Sequence, residues 1–526
     1  MTRSSAADVP VVIAGGGPAG LAAAAELSLH GISCVVIEPR TEVSHRRPRA
    51  KTTTVRTMEH LRRWGIAGRL REAAPLPVAW SQRVTFCDSL TGRRITDFDG
   101  AFGLTTQRCD DFAEPGQQVP QPVVEDVLRE HLRARTSVQL RFGQAVVALA
   151  EDSDGVTVTI RAQDTPQYRL RARYLLGCDG AGGVVRDQIG ARYAGYSDPR
   201  PNFNVVFRAP GLDSPLGRAV HYWIVGGPTS GLMGRLDLGG TWWASFPGVD
   251  PGYGTAHAGE LITGLVGRPT RPELLATDPW TARMLVADTF ATARVFLVGE
   301  AAHVNPPWGG HGFNTSVGDA VNIAWKIAAV EHGWAAPQLL GSYAAERRGV
   351  AEQTVASAAA NMTALAGDLQ ADAAAIQRVK RFEFYSLGLV LGYSYAGSPV
   401  IQPGGGPGGR GSAVADTTVF TPSADPGARL PHAWLPDGTS LFDRLGTGLT
   451  LLGPAAPARG ARLADRARER GIPLSFAEPP PEYPWREEYL LVRPDQHVAW
   501  RCADPDQIDL DAVTGHAHAR AGTRTS

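Results

Sequence analysis

The sequence opens with a glycine pattern that strongly constrains the fold of the chain. Its three glycines, spaced GxGxxG, are Gly15, Gly17 and Gly20. The apolar run Val9 to Ala14 precedes them and predicts a buried strand, Pro18 to His30 predicts a helix, and Ser33 to Ile37 predicts a second strand. Together these elements form a βαβ unit, which is typical of a doubly wound α/β sheet that binds a dinucleotide.

Each part of this unit has a predicted role in nucleotide binding. The glycines allow a tight turn and a close approach of the backbone to a pyrophosphate, and the helix beginning at Pro18 and Ala19 offers its N-terminus to the phosphates. Glu38 ends the second strand, where it can accept hydrogen bonds from ribose hydroxyls, and Arg40 follows it as a further candidate. An acid at position 38 also indicates a nucleotide without a 2′-phosphate. The alternative is a plain glycine turn.

Composition excludes several other classes of protein. The chain has 526 residues with 52 basic and 52 acidic side chains, so it predicts two or three domains and no electrostatic footprint for nucleic acid or a membrane surface. Its five cysteines show neither CxxC nor metal-ligand spacing, which favours a reduced cytoplasm and no metal site. Glycines interrupt the apolar run Val9 to Leu29, and we expect no signal sequence and no membrane span.

The middle of the chain changes character twice. Aromatic, β-rich segments between Asn202 and Phe246 predict a mostly antiparallel sheet inserted into the first domain. Helical sequence returns at Gly318 to Glu331, and the alanine-rich stretch from Tyr343 to about Lys380 predicts one long helix. The segment Pro403 to Gly411, PGGGPGGRG, predicts a linker.

A small C-terminal α/β domain should follow the linker. Its predicted elements are strands at Leu449 to Leu452, Tyr489 to Val492 and Val498 to Arg501 and a helix near Ala461 to Gly471. We therefore expect a Rossmann-like nucleotide-binding domain over 1–190 and 290–400, a β-sheet domain over 191–289 to which earlier segments can contribute, and a C-terminal domain over 412–526.

Two further strands end in an acid, where open α/β sheets bind ligands. RYLLGCDGAGGVVR ends its strand at Asp179 and Gly180, and RVFLVGEAAH ends its strand at Gly299 and Glu300. Each acid alone is equally consistent with an ordinary strand-to-helix cap.

Taken together, these motifs resemble the FAD-dependent aromatic hydroxylases of the para-hydroxybenzoate hydroxylase and phenol 2-monooxygenase type, the group A flavoprotein monooxygenases. The resemblance extends over HRRPRAKTTTVRTMEHLRRWG, QPVVEDVL, GEAAHVNPPWGGHGFNTSVGDAVNIAWKIA and YAAERR. It also covers the C-terminal segment, which is similar to the thioredoxin-like tail of larger members but lacks CxxC, so a structural or oligomer-forming role is expected there.

The resemblance implies roles for several residues. Arg49 and Gln121 would approach the FAD phosphates and ribityl chain, Asp179 would lie near the dinucleotide end, and Glu300 would bind ribityl hydroxyls. Glu300 stands where the family normally has Asp, and Gly183 stands where it often has Ser. The loop PPWGGHGFN, with Pro306 and Pro307, would face the flavin ring, and its final residues Gly312, Phe313 and Asn314 would offer helix N-terminal N–H groups to the reduced flavin. An ordinary Pro/Gly loop with a normal helix cap is the alternative.

The sequence indicates the substrate-binding residues less clearly than the FAD-binding residues. Arg47 and Lys51, beside the flavin motif, and Phe207, His221 and Trp223, in the aromatic strands, are substrate-binding candidates, although such charges are usually solvated and such aromatics usually core. By alternation His221 and Trp223 share one face. The sequence singles out no base that would ionise a phenol. His303 is expected to be a packing residue of the loop, with no metal at His303 or His311.

The resemblance implies hydroxylation of an electron-rich, phenolic ring with NAD(P)H and O2 through a C4a-hydroperoxyflavin, in bacterial natural-product tailoring or aromatic catabolism. The protein would be a monomer or homodimer that acts on a small aromatic molecule. Baeyer–Villiger or other oxygenation on the same scaffold stays open, as does a non-catalytic FAD-stabilised binding protein. A flavin-dependent halogenase is disfavoured because WxWxIP is absent.

Overall fold

The computed structural model describes residues 9–45, 51–162, 165–364, 372–402, 414, 416–454 and 460–516. Three predictions fall outside these residues: those for Arg47 and Arg49, and the linker Pro403 to Gly411. Within the described ranges the strands are, in chain order, β1 (Val9–Ala14), β2 (Cys34–Glu38), β3 (Thr52–Thr53), β4 (Val84–Cys87), β5 (Arg94–Phe98), β6 (Gln117–Gln118), β7 (Val138–Phe142), β8 (Gln144–Glu151), β9 (Val156–Ala162), β10 (Tyr168–Gly177), β11 (Tyr193–Arg208), β12 (His221–Ile224), β13 (Gly231–Arg235), β14 (Thr241–Pro247), β15 (Glu273–Ala287), β16 (Val295–Leu297), β17 (His303–Val304), β18 (Leu449–Leu452), β19 (Leu474–Ala477), β20 (Tyr489–Val492) and β21 (Val498–Cys502).

The α-helices of the same ranges complete the fold. They are α1 (Pro18–Leu29), α2 (Val55–Arg63), α3 (Ala67–Ala73), α4 (Gln121–Arg133), α5 (Val184–Gln188), α6 (Pro251–Ala256), α7 (Ala258–Val266), α8 (Gly312–Glu331), α9 (Ser342–Thr363), α10 (Ala373–Phe384), α11 (Leu387–Leu391), α12 (Ala461–Glu469) and α13 (Leu510–Val513).

A seven-stranded sheet contains the predicted βαβ unit. Its order is β7-β2-β1-β10-β9-β8, with β16 paired to β10, and β1 is parallel to both β2 and β10. Helices α1 and α8 pack against each other and belong, with this sheet, to one apolar core. Alanine fills the middle of α1, where Ala22, Ala23 and Ala24 are fully buried, because only a small side chain lets the helix lie so close to the strands and to α8.

An eight-stranded sheet forms the second layer, in the order β17-β15-β11-β14-β13-β12-β4-β5. Its neighbours are antiparallel except β12 and β4, which run parallel. Strands β4 and β5 reach it from residues 84–98, so an early segment contributes to this layer. We propose on this basis that the domain boundaries near residues 190 and 290 mark the inserted part of the sheet and not its whole.

The C-terminal domain has a four-stranded sheet in the order β19-β18-β20-β21. Strands β18 and β19 are parallel, joined through α12, whereas β20 is antiparallel to both β18 and β21. This βαβ unit followed by a hairpin is the thioredoxin-like arrangement expected from the resemblance. No helix in the described part of the chain is long and apolar enough to cross a bilayer.

One secondary-structure prediction was wrong. The stretch from Tyr343 to Lys380 is not one helix, because α9 ends at Thr363 and α10 begins at Ala373. Asp372 caps α10 by accepting from the N–H groups of Ala374 and Ala375 at 3.3 and 3.1 Å. The alanine-rich composition correctly predicted helical structure in this stretch. The composition does not specify where each helix begins and ends, which depends on the cap and on tertiary packing.

Buried ion pairs join the C-terminal domain to the nucleotide-binding layer. Arg493 donates to both oxygens of Glu346 on α9, at 2.7 and 2.9 Å, and Lys326 on α8 donates to the same carboxylate at 2.7 Å. A second pair forms where Arg429 donates to Glu59 on α2. All five side chains are buried, so each carboxylate depends on its partner for solvation.

We predict that Arg493→Met destabilises the folded chain by about 3–5 kcal/mol, because it removes one of the cations that hold the buried Glu346 carboxylate. The matched control is Arg501→Met on β21, whose side chain is 30 % exposed and pairs with Glu488 at the surface. That control should cost no more than about 1 kcal/mol. Urea unfolding followed by tryptophan fluorescence measures the free energy of unfolding of both variants. An equal loss in the two variants would show that the buried pair stabilises the fold no more than the surface pair.

Candidate functional site

The glycine loop leaves one position open for a ligand. Gly15 has φ of +102°, and a Cβ there would lie 2.3 Å from the carbonyl oxygen of Cys178. A Cβ on Gly20 would lie 1.9 Å from the Gly15 oxygen. By contrast, a Cβ on Gly17 would meet only Arg40 Nη2, at 3.9 Å. Gly15 and Gly20 are thus required by the packing of the protein itself, whereas the space above Gly17 is free for a pyrophosphate.

Glu38 holds the loop from the end of β2. One carboxylate oxygen accepts from the N–H of Gly16 at 2.6 Å, and the other accepts from the backbone N–H and Nε of Arg40, both at 2.8 Å. The buried carboxylate therefore orients the glycine loop. Its hydrogen bond to a ribose stays a prediction.

Gln121 lies beside this acid at the start of α4. Its Nε2 donates to Glu125 at 2.9 Å, and Arg40 Nη2 donates to the other oxygen of Glu125 at 3.1 Å. Arg129, one turn further along α4, is buried, and its Nε and Nη2 have no hydrogen-bond partner among the described residues. Sequence reasoning missed Arg129, although its position four residues after Glu125 places it on the same helix face.

Asp179 serves partly as a helix cap. Its Oδ2 accepts from the N–H of Val185 in α5 at 3.0 Å, and a Cβ on Gly183 would lie 2.0 Å from its carboxyl carbon. The glycine at 183, a departure from the family pattern, is thus required by the acid itself. Burial raises the pKa of Asp179, and its Oδ1 is a buried acceptor that no described residue satisfies. Gly180 takes the left-handed turn beside it.

Glu300 follows β16, where three elements of the nucleotide layer meet. Gly299 has φ of +66°, and a Cβ there would lie 2.8 Å from Ser316 Cβ and 3.1 Å from Ala19 Cβ. The strand end therefore contacts both α1 and α8. The Glu300 side chain is exposed, and its backbone oxygen accepts from the hydroxyl of Tyr193. Its contact with a ribityl chain stays a prediction.

The loop before α8 is fixed by an asparagine. Asn314 donates to the carbonyl oxygens of Gly310 at 2.7 Å and Thr52 at 3.1 Å, and it accepts from the N–H of Thr54 at 3.0 Å. Pro306 is buried, and the exposed Pro307 accepts from the Gly310 N–H at 3.0 Å. The loop and the strand β3 are therefore held as one unit.

Helix α8 begins at Gly312 without a side-chain cap. The N–H groups of its first turn, on Gly312, Phe313 and Asn314, have no acceptor within the helix and carry the positive end of its dipole. His311, just before them, is buried, which lowers its pKa to about 4 and keeps it neutral near pH 7. The helix start can therefore bind an anionic group without a competing side chain.

His303 has a more specific role than packing. Its Nε2 lies 2.8 Å from Asp319 Oδ2, which also accepts from the Gly299 N–H at 3.1 Å, while Arg347 Nε donates to Asp319 Oδ1 at 2.7 Å. Arg347 and His303 hold the pKa of Asp319 below its ordinary value despite its burial. No group of side chains suited to a metal ion occurs among the described residues.

The two faces of the eight-stranded sheet have different neighbours. Phe207 belongs to a core with Trp242, Tyr222 and Ile262 of α7. His221 and Trp223 lie on the other face, where Trp223 belongs to one apolar core with Trp308 of the loop and Phe384 of α10, and the ring of Phe384 also contacts His221. Phe207 is fully buried on the face away from the loop, and its contact with a substrate stays a prediction. We call the face that carries His221, Trp223, Leu232 and Trp243 the loop-facing sheet surface.

A cavity of about 330 Å³ lies beside this surface. Among the residues that line it are Thr54, Val55, Phe102, Gly309, Phe384 and Tyr385. Phe102 and Phe384 in turn contact the ring of His221, with centroids 5.8 and 6.0 Å apart. An apolar cavity of this size suits a small aromatic molecule.

Three buried titratable groups lie near the cavity. Lys380 donates to Glu383 at 2.6 Å and stands 4.2 Å from the ring centre of Trp223, and burial lowers the pKa of Lys380. Burial raises the pKa of Glu383, which accepts from the Gly309 N–H of the loop. Burial, with Lys51 and Lys380 nearby, holds the pKa of His221 well below its ordinary range. Sequence reasoning missed Lys380 and Glu383, whose i, i+3 spacing was the available signal.

These residues fit FAD. The open space at Gly17, the unsatisfied Oδ1 of Asp179 and the uncapped start of α8 all lie on the one layer that β1, β10, α1 and α8 build. Hydrogen-bond acceptors for ribose and ribityl hydroxyls and N–H donors for phosphate and the flavin ring are thus present in a single structural unit.

The comparisons with known proteins agree with this geometry. The family described as FAD binding domain matches residues 8–358, and the family described as aromatic-ring hydroxylase, C-terminal matches residues 423–521. The chain is 29 % identical to 2,4-dichlorophenol 6-monooxygenase of Delftia acidovorans, over 95 % of this chain and 96 % of that protein. It is 30 % identical to 4-methyl-5-nitrocatechol 5-monooxygenase of Burkholderia sp, over 96 % of this chain and 97 % of that protein.

A solved structure is similar over the same length. The flavin-dependent monooxygenase PieE, in complex with FAD and substrate, superposes with a TM-score of 0.86 at 29 % identity, covering 98 % of this chain and 99 % of PieE. The family matches extend over both the nucleotide-binding layer and the C-terminal domain. The chain belongs to the FAD-dependent aromatic-ring hydroxylases.

Proposed function

We propose that the enzyme uses NADH or NADPH and O2 to hydroxylate the ring of a small phenolic substrate. The observation that carries this proposal is the position of the cavity, which has Gly309 of the loop before α8 in its wall and aromatic rings around it. An aromatic molecule bound there would lie against the part of the protein that faces the flavin ring. The relatives named as acting on dichlorophenol and nitrocatechol support a phenol as the substrate class.

Bound FAD would accept a hydride equivalent and activate O2, and the chain has to position and protect that chemistry. The space above Gly17 would hold the pyrophosphate, and Glu300 would bind the ribityl chain at the end of β16. The first turn of α8 would stabilise negative charge on the reduced ring through its free N–H groups.

The substrate ring would be held by packing. Phe102, Phe384 and Trp223 offer aromatic faces and edges, which favour another ring by stacking and exclude water from the reacting carbon. Exclusion of water matters because it couples reduction of O2 to hydroxylation instead of release of peroxide. The described part of the chain contains no second strand–GxGxxG–helix unit that would hold a nicotinamide nucleotide. We therefore expect NADH or NADPH to bind transiently.

The test of this proposal is a screen of phenols and polycyclic aromatics for stimulated NAD(P)H oxidation, with the product identified by mass and NMR. We expect a gain of one oxygen as a new ring hydroxyl. A gain of one oxygen as an ester would show Baeyer–Villiger insertion. NAD(P)H oxidation that no ligand stimulates would point to a binding protein. Either result contradicts the proposal.

Gly17→Val is predicted to abolish FAD retention without unfolding the protein. Valine at this position has room in the protein itself but fills the space needed by the pyrophosphate. FAD content is measured by absorbance of the purified protein, with circular dichroism to check folding. The matched control is Gly259→Val in α7, where a Cβ would meet nothing within 4 Å. Full FAD content in the Gly17 variant would remove the loop from the FAD site. Gly15→Val is unsuitable because it clashes with Cys178.

Glu300→Ala should weaken FAD binding by about tenfold to a hundredfold, since a hydrogen bond to a charged group contributes roughly 1.5–3 kcal/mol. Glu300→Asp, which restores the acid usual in the family, should keep the affinity. Equilibrium dialysis of the apoprotein against FAD measures both. If Glu300→Ala binds FAD as the wild type does, the longer side chain points away from the cofactor.

A further inference from the structure

Lys51 is unusual among the lysines of this chain. The sequence contains three, and two of them, Lys326 and Lys380, are fully buried against the carboxylates of Glu346 and Glu383. Lys51 is half-buried, yet no carboxylate of the described residues pairs with it. Its Nζ donates to the carbonyl oxygen of Val220 at 2.5 Å. A buried ammonium without a counter-ion is costly, so this amine favours either its neutral form or an anionic ligand.

Lys51 lies close to both the loop before α8 and the loop-facing sheet surface. It directly precedes β3, whose Thr52 carbonyl accepts from Asn314 of the flavin-side loop at 3.1 Å. Its Nζ lies 5.2 Å from the ring centre of Trp243, on the loop-facing sheet surface. Both Trp243 and Lys51 keep part of their surface accessible, whereas Trp223 and His221 of the same face are buried. Lys51 also lies close enough to His221 to add to the effect of burial in lowering its pKa. The ring of His221 contacts Phe102 and Phe384 in the cavity wall, so the amine lies near the cavity.

Among the described residues, no side chain near Lys51 offers its amine a competing anion. On β12, His221 is held neutral, and on α10 the Lys380 amine already pairs with Glu383. The other neighbours of Lys51 in the described part of the chain include the aromatic ring of Trp243 and the backbone at Gly234, where a Cβ would lie 2.6 Å from Nζ. Glycine at 234 is thus what gives the lysine room to extend over the sheet. The Val220 carbonyl is the oxygen to which Nζ donates in the described structure. The hydroxyl of a bound ring would give Nζ an oxygen partner that is not part of the protein backbone.

We propose that Lys51 is the base that takes the proton of the substrate's phenolic hydroxyl and then holds the phenolate as its counter-ion. This inference rests on the proposed function and names the group that ionises the substrate. The O–H bond of the phenol breaks, an N–H bond forms on Nζ, and the electron pair left on oxygen activates the ring. No other reactant is needed.

The direction of the pH dependence follows from the environment of Lys51. Burial lowers the pKa of its ammonium well below the ordinary value, so the neutral amine is present at lower pH than for an exposed lysine. A phenol free in water ionises with a pKa of about 10. Turnover of a weakly acidic phenol should therefore persist near pH 7 and decline as pH falls through the Lys51 pKa. Among the described residues, the titratable groups near it are His221, whose pKa burial and Lys51 lower, and Lys380, which also lowers the pKa of that histidine and pairs with Glu383.

A binding experiment tests ionisation without turnover. Oxidised FAD-loaded wild type, Lys51→Met and Lys51→Arg are titrated with 4-nitrophenol below the solution pKa of this probe, and the visible absorption of nitrophenolate is recorded. We expect bound nitrophenolate with the wild type and at least tenfold less with Lys51→Met, since acid–base groups contribute about a hundredfold or more. Lack of a nitrophenolate signal with the wild type, or an equal signal with Lys51→Met, overturns the proposal even if the enzyme hydroxylates phenols.

A kinetic experiment separates a base from a merely positive or structural residue. At neutral pH, kcat/KM of Lys51→Met for a weakly acidic phenol should fall by about 100-fold or more, and the loss should shrink as pH rises or as more acidic phenols are used. Lys51→Arg keeps the charge but cannot accept a proton, so it should behave in the same way. Wild-type rates in Lys51→Arg, or a loss in Lys51→Met that depends on neither pH nor phenol acidity, contradict the proposal.

The matched control is Met233→Leu, a substitution of conserved volume on the opposite face of the same sheet. It should keep both the nitrophenolate signal and the pH profile of the wild type. A wild type that hydroxylates no phenol would refute the proposed function, whereas the nitrophenol titration would still decide the role of Lys51.

Discussion

The buried carboxylate of Asp319 holds the nucleotide-binding layer together at the point where the flavin would lie. It accepts from Gly299 at the end of β16, from His303 of β17 and from Arg347 of α9, while itself belonging to α8. Four elements therefore meet on one side chain. Because an unpaired charge in this position would be strongly unfavourable, the elements can shift only together, which fixes the start of α8 relative to the strand ends.

The same logic extends to the C-terminal domain. Glu346 lies one residue before Arg347 on α9 and accepts from Lys326 and Arg493, so the helix that anchors Asp319 is also tied to the tail. On the other side, Arg56 of α2 donates to Gln496 and to the backbone of Asp495, close to β3 and the loop. A domain without a dithiol motif thus has a clear physical role, since it supplies partners for charges buried in the layer that binds FAD.

Much of the fold could be predicted from the sequence because it depends on local patterns. The run Val9 to Ala14, the glycine loop and the Ala-rich α1 specify strand, turn and helix with residues close in the chain. The division of α9 from α10 was missed because the alanines favour helix throughout, although Asp372 before Ala374 and Ala375 was an available N-cap signal. The sequence also could not show which sheet face Phe207 occupies relative to the loop. Alternation groups strand residues by face but does not indicate what each face contacts.

The site shows the same division. Gly17 and the start of α8 could be located from the sequence because the strand, turn and helix pattern specifies their backbone geometry, and their contacts with FAD stay predictions. From the sequence, Asp179 could be either a helix cap or a ligand contact. In the structure one carboxylate oxygen accepts from the N–H of Val185 in α5, and the other oxygen has no partner among the described residues. Lys380 and Glu383 were missed because their importance comes from proximity to Trp223 and Gly309, which are distant in sequence. Their i, i+3 spacing indicates a pair on one helix face, but nothing in the sequence indicates which distant residues that pair contacts.

The central claim is that this chain places an aromatic ring where oxygen from O2 is inserted as a hydroxyl group. The most direct test is a turnover experiment with a phenol under isotopically labelled O2 and unlabelled water, followed by mass spectrometry and NMR of the product. The account predicts one labelled oxygen in a new ring hydroxyl group. Product oxygen derived from water, or labelled oxygen found only as peroxide, would contradict it.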